Sequence, residues 1–380
     1  MATFEAKVYK LRIEEHPNAD SLELAVVGDY RSIVRKGQFK TGDLGVYIPE
    51  AAVLPEWLID ELGLTGKLAG KDKNRVKAIK LRGILSQGLV YPVVDGTLTL
   101  YTTDKQFLDE SEMDAGEGRR DATVTEGQVV TDLLEITKYE PPIPVHMAGE
   151  VFNAHGYTLN YDIENIKKFP NVLTEKDPVL ITEKLHGTWT CFGYHPDVNQ
   201  PIVTSKGLSG RGLAFKFNDA NQDNLYIRSF MSTTDSLGRT IIDRVRDVLV
   251  DGLPVYILGE TFGRGVQDLH YGLDKPAFRA FDIYVGSPGE GRYLNGAEFL
   301  SVCGDIGVEP VPILYTGGYS REIVEELTNG KDTVTGAHIR EGVVIRGLVD
   351  DMRHDELGRV ILKSVSEAYL LRGGEATEFN

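Results

Sequence analysis

The chain has 380 residues, with 57 acidic and 41 basic side chains and a formal net charge of −16. This balance disfavours a protein that coats nucleic acid without regard to sequence, because such proteins gain affinity by displacing counterions with Lys and Arg. Two cysteines, Cys191 and Cys303, exclude a disulfide framework or a zinc site, and we expect a cytoplasmic monomer with two domains and no membrane contact.

Residues 1–138 contain short runs of β-branched and aromatic residues separated by glycines, such as LELAVVGDY, RSIVRKG and GLVYPVV. Short strands with partial two-residue alternation predict a small β-barrel. An acidic, polar segment at about 95–127 is expected to form a mobile loop within this domain. Residues 139–152 include the run PPIP, and this composition predicts a linker.

A basic stretch lies within the first domain. The run GKLAGKDKNRVKAIKLRG carries seven cations and one anion, Asp72. A solvated β-hairpin explains this pattern as well as a surface that faces nucleic acid does, and both interpretations stay open. The side chains that we expect to bind RNA phosphates are Lys71, Lys73, Arg75 and Lys77.

From residue 153 to residue 380, strand-like runs alternate with helix candidates. The strand-like runs are PVLITEKL, PVYILGETF, FRAFDIYV, EGVVIRG and RVILKSV. The helix candidates are TDSLGRTIIDRVRDVLV, NGAEFLSVCGDIG and SREIVEELTNG. This mixture predicts a larger α+β domain, so that the whole chain is a multidomain α+β protein.

Lys184 ends an apolar strand in the run PVLITEK. A lysine amine is mostly protonated at neutral pH, but burial and nearby cations lower its pKa and make it a covalent nucleophile. Taken alone, an edge-strand lysine is the simpler interpretation. Further candidates follow on or beside later strands, namely Lys206, Glu260, Phe281, Glu341 and Lys363.

This ordered set of side chains suits attack on the α-phosphate of a nucleotide. Carboxylates can hold a hydrated divalent metal or the ribose hydroxyls, an aromatic ring can stack on the base, and a lysine can neutralise the phosphate. The motifs EKLHGT, SKG, LGETFG, FDIY, EGVVI and LKS resemble those of the covalent nucleotidyltransferases, which include polynucleotide ligases and capping enzymes. Among these, KLHGT and GETFGRGVQDLHYG are similar to RNA ligases.

The N-terminal region extends the resemblance. The runs HPNADSLELAVVG, VRKGQFKTGDLGVYIPEAAVLP and IKLRGILSQGLVYP resemble the OB-fold domain that precedes the catalytic domain in the fifth family of RNA ligases. The resemblance implies an N-terminal OB-fold β-barrel followed by a mixed α+β nucleotidyltransferase domain. It also implies an ATP-dependent RNA ligase that forms lysyl-AMP, transfers AMP to an RNA 5′-phosphate and seals it to a 3′-hydroxyl. The implied cofactors are ATP and Mg²⁺ or Mn²⁺, and the implied partner is RNA. This RNA could be a nicked duplex, a cleaved tRNA or another broken structure, and an OB domain beside a basic stretch favours nicked or broken duplex RNA.

Two alternatives remain at this stage. One is a DNA ligase or a capping-type nucleotidyltransferase. The other is a non-catalytic OB-fold RNA-binding protein, because HPNAD also occurs in tRNA-binding OB domains.

By motif position, the resemblance implies roles for individual residues. The implied catalytic residues are Lys184, His186, Glu260, Glu341 and Lys363. The implied nucleotide-binding residues are Glu183, Lys206, Phe281 and Lys363. Glu260 and Glu341 would hold the metal through water.

Three positions depart from the pattern of the family. Trp189 stands where RNA ligases commonly have Asn near the α-phosphate, and Lys206 stands where Arg is usual. Ile361 replaces the first of two lysines in the fifth motif, and Arg359 is a candidate substitute for it. We expect these changes to affect rate or substrate choice more than the class of reaction.

Overall fold

The computed structural model describes residues 4–102, 118–140, 143–249 and 252–372. The chain divides into two compact units. The N-terminal unit comprises Thr3–Glu140 with Lys167–Pro170, and the C-terminal unit comprises Pro141–Ile166 with Asn171–Asn380. Among the helices of the described residues, none has the length and apolar character needed to cross a bilayer.

The N-terminal unit consists of short strands with one helix, α1 (Glu56–Glu61). Its strands are β1 (Lys7–Lys10), β2 (Arg12–Glu15), β3 (Leu22–Val27), β4 (Tyr30–Arg35), β5 (Leu44–Ile48), β6 (Ala52–Val53), β7 (Ile79–Leu81), β8 (Ile84–Ser86), β9 (Leu89–Pro92), β10 (Thr97–Thr102), β11 (Gly118–Thr123) and β12 (Thr137–Lys138). Two antiparallel sheets have the orders β1-β5-β9 and β2-β3-β4. Val8, Val46 and Leu58 share one apolar core, which joins the first of these sheets to the helix.

The sequence predicts a mobile loop over the acidic segment at about 95–127. This prediction is wrong for part of the segment, which forms strands β10 and β11. Strands β10 and β11 pair along their whole length, with Thr97 opposite Thr123. The run TLTLYT alternates polar and apolar residues, and its Leu98 is fully buried in the core of the unit. The residues between the two strands, 103–117, lie outside the described part of the chain.

The C-terminal unit contains the remaining strands and most of the helices. Its strands are β13 (Val151–Asn153), β14 (Glu164–Asn165), β15 (Pro178–Lys184), β16 (Thr188–Tyr194), β17 (Ile202–Ser205), β18 (Leu213–Phe215), β19 (Val255–Phe262), β20 (Ala277–Val285), β21 (Arg292–Tyr293), β22 (Ile313–Gly318), β23 (Gly342–Gly347), β24 (Arg353–His354), β25 (Gly358–Arg359) and β26 (Ile361–Val365). Its α-helices are α2 (Lys206–Ser209), α3 (Leu225–Ser232), α4 (Ile241–Val248), α5 (Gly296–Asp305), α6 (Arg321–Thr328) and α7 (Glu367–Leu370). Short 3₁₀ turns occupy Val145–Met147 and Asp219–Asn221, and another, Ile166–Lys168, includes residues assigned to the N-terminal unit.

Two sheets organise the C-terminal unit. A seven-stranded sheet has the order β13-β18-β17-β16-β19-β20-β21, and a five-stranded sheet has the order β14-β26-β23-β15-β22. Helices α3, α4 and α5 pack on the seven-stranded sheet, where Phe230, Ile241 and Phe299 share a core with Phe192 of β16. The C-terminal unit therefore contains both strands and helices, in agreement with the predicted α+β class.

Two of the three predicted helices have nearly the predicted bounds, and the third is shorter. The run from Thr234 was expected to be helical, but α4 begins at Ile241. Thr240 caps this helix, and its side chain and that of Asp243 each accept a hydrogen bond from the other's backbone amide. Gly238, with φ of +77°, lies in the turn before the cap. The capping box therefore sets the start of the helix.

Candidate active site

Lys184 lies at the junction of the two sheets of the C-terminal unit. Strand β15 ends at Lys184 in the five-stranded sheet, and β16 begins at Thr188 in the seven-stranded sheet. The turn of residues 185–187 therefore carries the chain from one sheet to the other. Gly187 has no room for a side chain, since a Cβ atom there would lie 2.3 Å from the carbonyl oxygen of Thr261. The glycine of the KLHG motif thus allows the turn to pack closely on β19.

Glu341 is the direct partner of Lys184. Strands β15 and β23 are antiparallel, and Lys184 lies opposite Gly342, the residue after Glu341. The Nζ atom of Lys184 is 2.6 Å from Oε1 of Glu341. The lysine side chain is 26% exposed and the glutamate side chain 9%, so the amine stays accessible while its carboxylate partner is buried.

Glu260 lies in β19 directly opposite Trp189 of β16. Burial raises the pKa of Glu260 to about 8, although the nearby ammonium of Lys184 partly offsets this rise and the carboxylate of Glu341 adds to it. Cross-strand neighbours face the same side of a sheet. Trp189 therefore lies beside Glu260, and its indole packs in an apolar cluster with Cys191 and Leu258.

Two further lysines lie in the same region. Lys363 of β26 is opposite Val344 of β23. Burial lowers its pKa to about 8, and the nearby ammonium groups of Lys184 and Lys206 contribute to this shift. Lys206 begins helix α2, and its Nζ atom lies 3.4 Å from Oδ1 of Asp162. The structure therefore brings together five of the predicted site residues, namely Lys184, Lys206, Glu260, Glu341 and Lys363.

Phe281 lies at a β-bulge in β20. Leu258 of β19 is opposite Asp282 but the next residue, Gly259, is opposite Ala280, so Phe281 is the extra residue. Its ring is 5.4 Å from that of Tyr161. The ring is partly buried against the same apolar cluster that contains Trp189, which places Phe281 on the side of the sheet that carries Glu260.

Arg359 does not occupy the position that was suggested for it. Its Nη1 atom donates to Oδ2 of Asp282 over 2.6 Å, and its Nη2 atom donates to the carbonyl oxygen of Leu294 over 3.0 Å. Arg346 also donates to Asp282, over 3.1 Å. Arg359 is thus part of a buried ion cluster around Asp282, and Ile361 is buried as well.

The side chain of Glu183 is not brought to this group. It is buried, and its Oε2 atom accepts hydrogen bonds from the backbone and hydroxyl of Thr333. The Nε atom of Arg340 lies 3.7 Å from the same Oε2 atom. Burial raises the pKa of Glu183. Because successive side chains of a strand point to opposite faces, Glu183 and Lys184 face different surroundings.

His186 is held by residues that the sequence did not single out. Its Nε2 atom lies 2.8 Å from Oδ1 of Asp268, and its Nδ1 atom lies 2.8 Å from the hydroxyl of Tyr369. Its backbone amide donates to the hydroxyl of Tyr271 over 2.6 Å. Asp268 and Tyr271 belong to the run GRGVQDLHYG, so the motif contained the signal although no role was assigned to these residues.

Glu260 and Glu341 are the two residues that the sequence predicts to hold a divalent metal through water. Among the described residues, no group of three or more His, Cys, Asp or Glu side chains is arranged to hold a metal. Burial raises the pKa of Glu260 and the carboxylate of Glu341 adds to this rise, and a bound cation would offset the repulsion between the two carboxylates. Two carboxylates suit a metal that keeps most of its water ligands, so the residues present fit Mg²⁺ or Mn²⁺.

The predicted RNA-binding residues lie on the N-terminal unit. Lys71, Lys73 and Lys77 are exposed. Arg75 is half-buried, with its guanidinium 4.2 Å from the centre of the Tyr139 ring. The basic stretch is not one hairpin, because Arg75 pairs with Ala69 across a loop and the hairpin itself is formed by β7 and β8.

Comparison with known proteins agrees with this arrangement. Residues 177–365 match the family model of RNA ligase, and residues 6–93 match that of an OB-fold domain. No curated protein matches the sequence.

Solved structures of Naegleria gruberi RNA ligase are similar to the chain. A mutant with ATP and Mn has 23% identity, a TM-score of 0.72 and coverage of 96% of this chain and 98% of that chain. An apo mutant has 22% identity, a TM-score of 0.73 and coverage of 97% and 98%. The ligase with PPi has 22% identity, a TM-score of 0.72 and the same coverage. The predicted fold class is confirmed, and the chain belongs to the RNA ligase family, with an OB-fold domain before its ligase domain.

Proposed function

We propose that this RNA ligase uses ATP to join 3′-hydroxyl and 5′-phosphate ends of RNA through a lysyl-AMP intermediate. The observation that carries the proposal is the amine of Lys184, which is accessible at a sheet junction and lies 2.6 Å from Glu341. Its electrostatic neighbours include Glu260 and Lys363. The structures of the Naegleria gruberi ligase with ATP and with AMP support ATP as the nucleotide.

In the first step, the lone pair of the deprotonated Lys184 amine attacks the α-phosphorus of ATP. A P–N bond forms, the bond from that phosphorus to the bridging oxygen breaks, and pyrophosphate leaves. Glu341 orients the lysine through their ion pair in the resting enzyme and accepts the proton that the ammonium loses before it attacks. The second proton, which the nitrogen loses as the P–N bond forms, passes to solvent. Lys363, in its protonated form, stabilises the negative charge that develops on the α-phosphate.

The nucleotide is held by residues of the seven-stranded sheet. Phe281 stacks on the adenine ring, and Glu260 binds the ribose hydroxyls or the water shell of the metal. Glu260 and Glu341 would hold hydrated Mg²⁺ or Mn²⁺, which would supply positive charge that lowers the repulsion between the phosphate oxygens and the nucleophile.

The second step returns the lysine to its free form, and the third step seals the RNA. An oxygen of the RNA 5′-phosphate attacks the phosphorus of lysyl-AMP, the P–N bond breaks, and the nitrogen takes up a proton from solvent and leaves as the free amine. The RNA 3′-hydroxyl then attacks the phosphorus of the adenylylated 5′ end, and AMP leaves as the phosphodiester bond forms.

We propose duplex RNA with a break as the substrate. Lys71, Lys73 and Lys77 are exposed on the OB-fold unit, and fixed cations can bind phosphates on both sides of a break in a duplex. A monomer in the cytoplasm remains the expectation from the sequence.

Incubation with α-labelled ATP and Mn²⁺ tests the proposal. We expect acid-labile label on the wild-type protein and on Lys176→Ala, which changes an exposed lysine near the start of β15, and no label on Lys184→Ala. Label that survives Lys184→Ala contradicts the assigned nucleophile, and a wild-type protein without label supports a non-catalytic RNA-binding protein. Competition between ATP and GTP, followed by sealing of nicked RNA against nicked DNA, separates an RNA ligase from a capping enzyme or a DNA ligase.

A further inference from the structure

The loop between β19 and β20 contacts the turn that follows Lys184 at three points. Gln267 donates its side-chain amide to the carbonyl oxygen of Gly187. The hydroxyl of Tyr271 accepts the backbone amide of His186 over 2.6 Å, and the carboxylate of Asp268 lies 2.8 Å from the imidazole of the same residue. One loop therefore holds both the backbone and the side chain of the turn on which the lysine depends.

Tyr271 is placed for this contact at a conformational cost. Its φ is +53°, in the left-handed region that a residue with a Cβ atom adopts at a cost of about 1 kcal/mol. The side chain is fully buried. Its carbonyl oxygen accepts a hydrogen bond from the hydroxyl of Thr335 over 2.8 Å. Tyr271 thus has a strained backbone that Thr335 holds by a hydrogen bond, and its hydroxyl binds the amide of His186. This combination indicates a positioning function.

Asp268 determines how His186 faces the ion pair of Lys184 and Glu341. An ionised carboxylate only accepts hydrogen bonds, so Nε2 of the imidazole donates to Asp268. Its Nδ1 atom lies 2.8 Å from the hydroxyl of Tyr369, so both ring nitrogens have a hydrogen-bond partner and the orientation of the ring is fixed. Oε2 of Glu341 is 3.9 Å from this Nδ1 atom. At this distance the imidazole makes no hydrogen bond to Glu341, whose carboxylate has its short contact with the Lys184 amine.

We propose that Tyr271 and Asp268 are positioning residues for the Lys184 nucleophile, through the backbone and the imidazole of His186 respectively. The inference rests on the proposed function, because it concerns the attack of Lys184 on ATP. It is specific to one step. Sealing of an RNA nick whose 5′ end is already adenylylated requires no attack by the lysine, so precise placement of its amine has little effect on that reaction.

The test compares these two reactions in the full chain under single-turnover conditions. The variants are Tyr271→Phe, which removes only the hydroxyl, and Asp268→Ala. Tyr256→Phe is the matched control for the first, because Tyr256 is also fully buried but its hydroxyl has no hydrogen-bond partner within the described residues. Asp274→Ala is the control for the second, because Asp274 belongs to the same loop and its side chain is fully exposed.

We expect each variant to slow the formation of lysyl-AMP at least tenfold at saturating ATP, with the KM for ATP changed less than threefold. Sealing of the adenylylated nick should change less than threefold, and both controls should match the wild type. A similar loss in both reactions overturns the inference, because it indicates general support of the domain, and so does an unchanged rate of lysyl-AMP formation. If Tyr271→Phe lowers the melting temperature, its loss of activity could reflect loss of stability. The result for Asp268→Ala then decides the test, because the side chain of Asp268 is partly exposed. A wild-type protein that forms no lysyl-AMP instead refutes the proposed function itself.

Discussion

Lys363 is expected to destabilise the ligand-free protein, and this cost can be measured. Burial lowers the pKa of its amine from 10.5 to about 8. At about 1.4 kcal/mol per unit of pKa, this difference corresponds to about 3 kcal/mol. The side chain is half-buried, so solvent screening reduces the cost to about 1–3 kcal/mol.

The sign of the pH dependence follows from the two pKa values. Below pH 8 the amine is protonated in both the folded and the unfolded chain, and the full cost of the buried cation is present. Between pH 8 and 10.5 the unfolded chain binds more protons than the folded chain, so stability rises with pH. Lys363→Met has no such group, and we expect it to be more stable than the wild type at pH 7 by an amount that falls by about 1–2 kcal/mol by pH 10.

Urea unfolding at the two pH values measures this difference. The chain has two tryptophans, Trp57 in the N-terminal unit and Trp189 in the C-terminal unit. In a Trp57→Phe background, tryptophan fluorescence therefore reports on the unit that contains Lys363. Lys176→Met, at an exposed position, is the matched control and should show the same pH dependence as the wild type.

The same substitution should abolish the formation of lysyl-AMP, because it removes the positive charge proposed to bind the α-phosphate. Gain of stability with loss of activity is the expected combination. If Lys363→Met has the same pH dependence of stability as the wild type, the amine carries no buried-charge cost, and the reasoning from its environment is refuted.

Two further outcomes are expected. Replacing Lys71, Lys73 and Lys77 with Ala should weaken RNA binding and reduce its dependence on salt, since each lost phosphate contact lowers the slope of log K against log salt by about 0.7–0.9. Filter binding across a salt series measures this effect, self-adenylation should not change, and equal loss of both activities would contradict a separate RNA-binding surface. Because burial raises the pKa of Glu260 to about 8, the folded protein binds the proton more tightly than the unfolded chain does, and stability contributed by this group falls as the pH rises from about 4.5 through 8. Thermal melting should show a smaller loss of stability over this range for Glu260→Gln than for the wild type, and equal losses would argue against the raised pKa.

Much of the site was predictable because several of its residues lie on strands that apolar runs define. The runs before Lys184 and around Glu260 and Lys363 are rich in Val, Ile and Leu, and each forms the expected strand. The order of motifs along the chain indicated which polar residues belong together. The structure adds the physical reason, since β15, β23 and β26 are neighbours in one sheet and β16 and β19 are neighbours in the other.

Contacts between distant segments were not predictable in this way. Arg359 was two residues from the position of interest, but its partner Asp282 lies 77 residues away, and no local pattern indicates such a pair. Helix α3 was missed although Asn224 caps it and accepts hydrogen bonds from the amides of Tyr226 and Ile227. Its first three residues, Leu225, Tyr226 and Ile227, are apolar and buried in succession, so the run shows no clear helical alternation of apolar and polar residues. Tyr271 was missed because its function depends on a left-handed backbone conformation that its residue type does not suggest.

The departures from the family pattern reduce the number of cations available to bind the α-phosphate. Ile361 is buried and apolar, and Arg359 is bound to Asp282. In the proposed mechanism, Lys363 and Lys206 therefore balance the charge of the phosphate. In the ligand-free protein, the pKa of Lys363 is lowered and that of Glu260 is raised, both chiefly by burial. A bound phosphate would favour the protonated lysine and a bound metal would favour the ionised carboxylate, so the two ligands each reverse one of these shifts. Without ligands, the protonated form of Lys363 and the ionised form of Glu260 are therefore disfavoured. Binding of nucleotide and metal supplies the free energy that shifts both groups to the charged forms that the proposed mechanism requires.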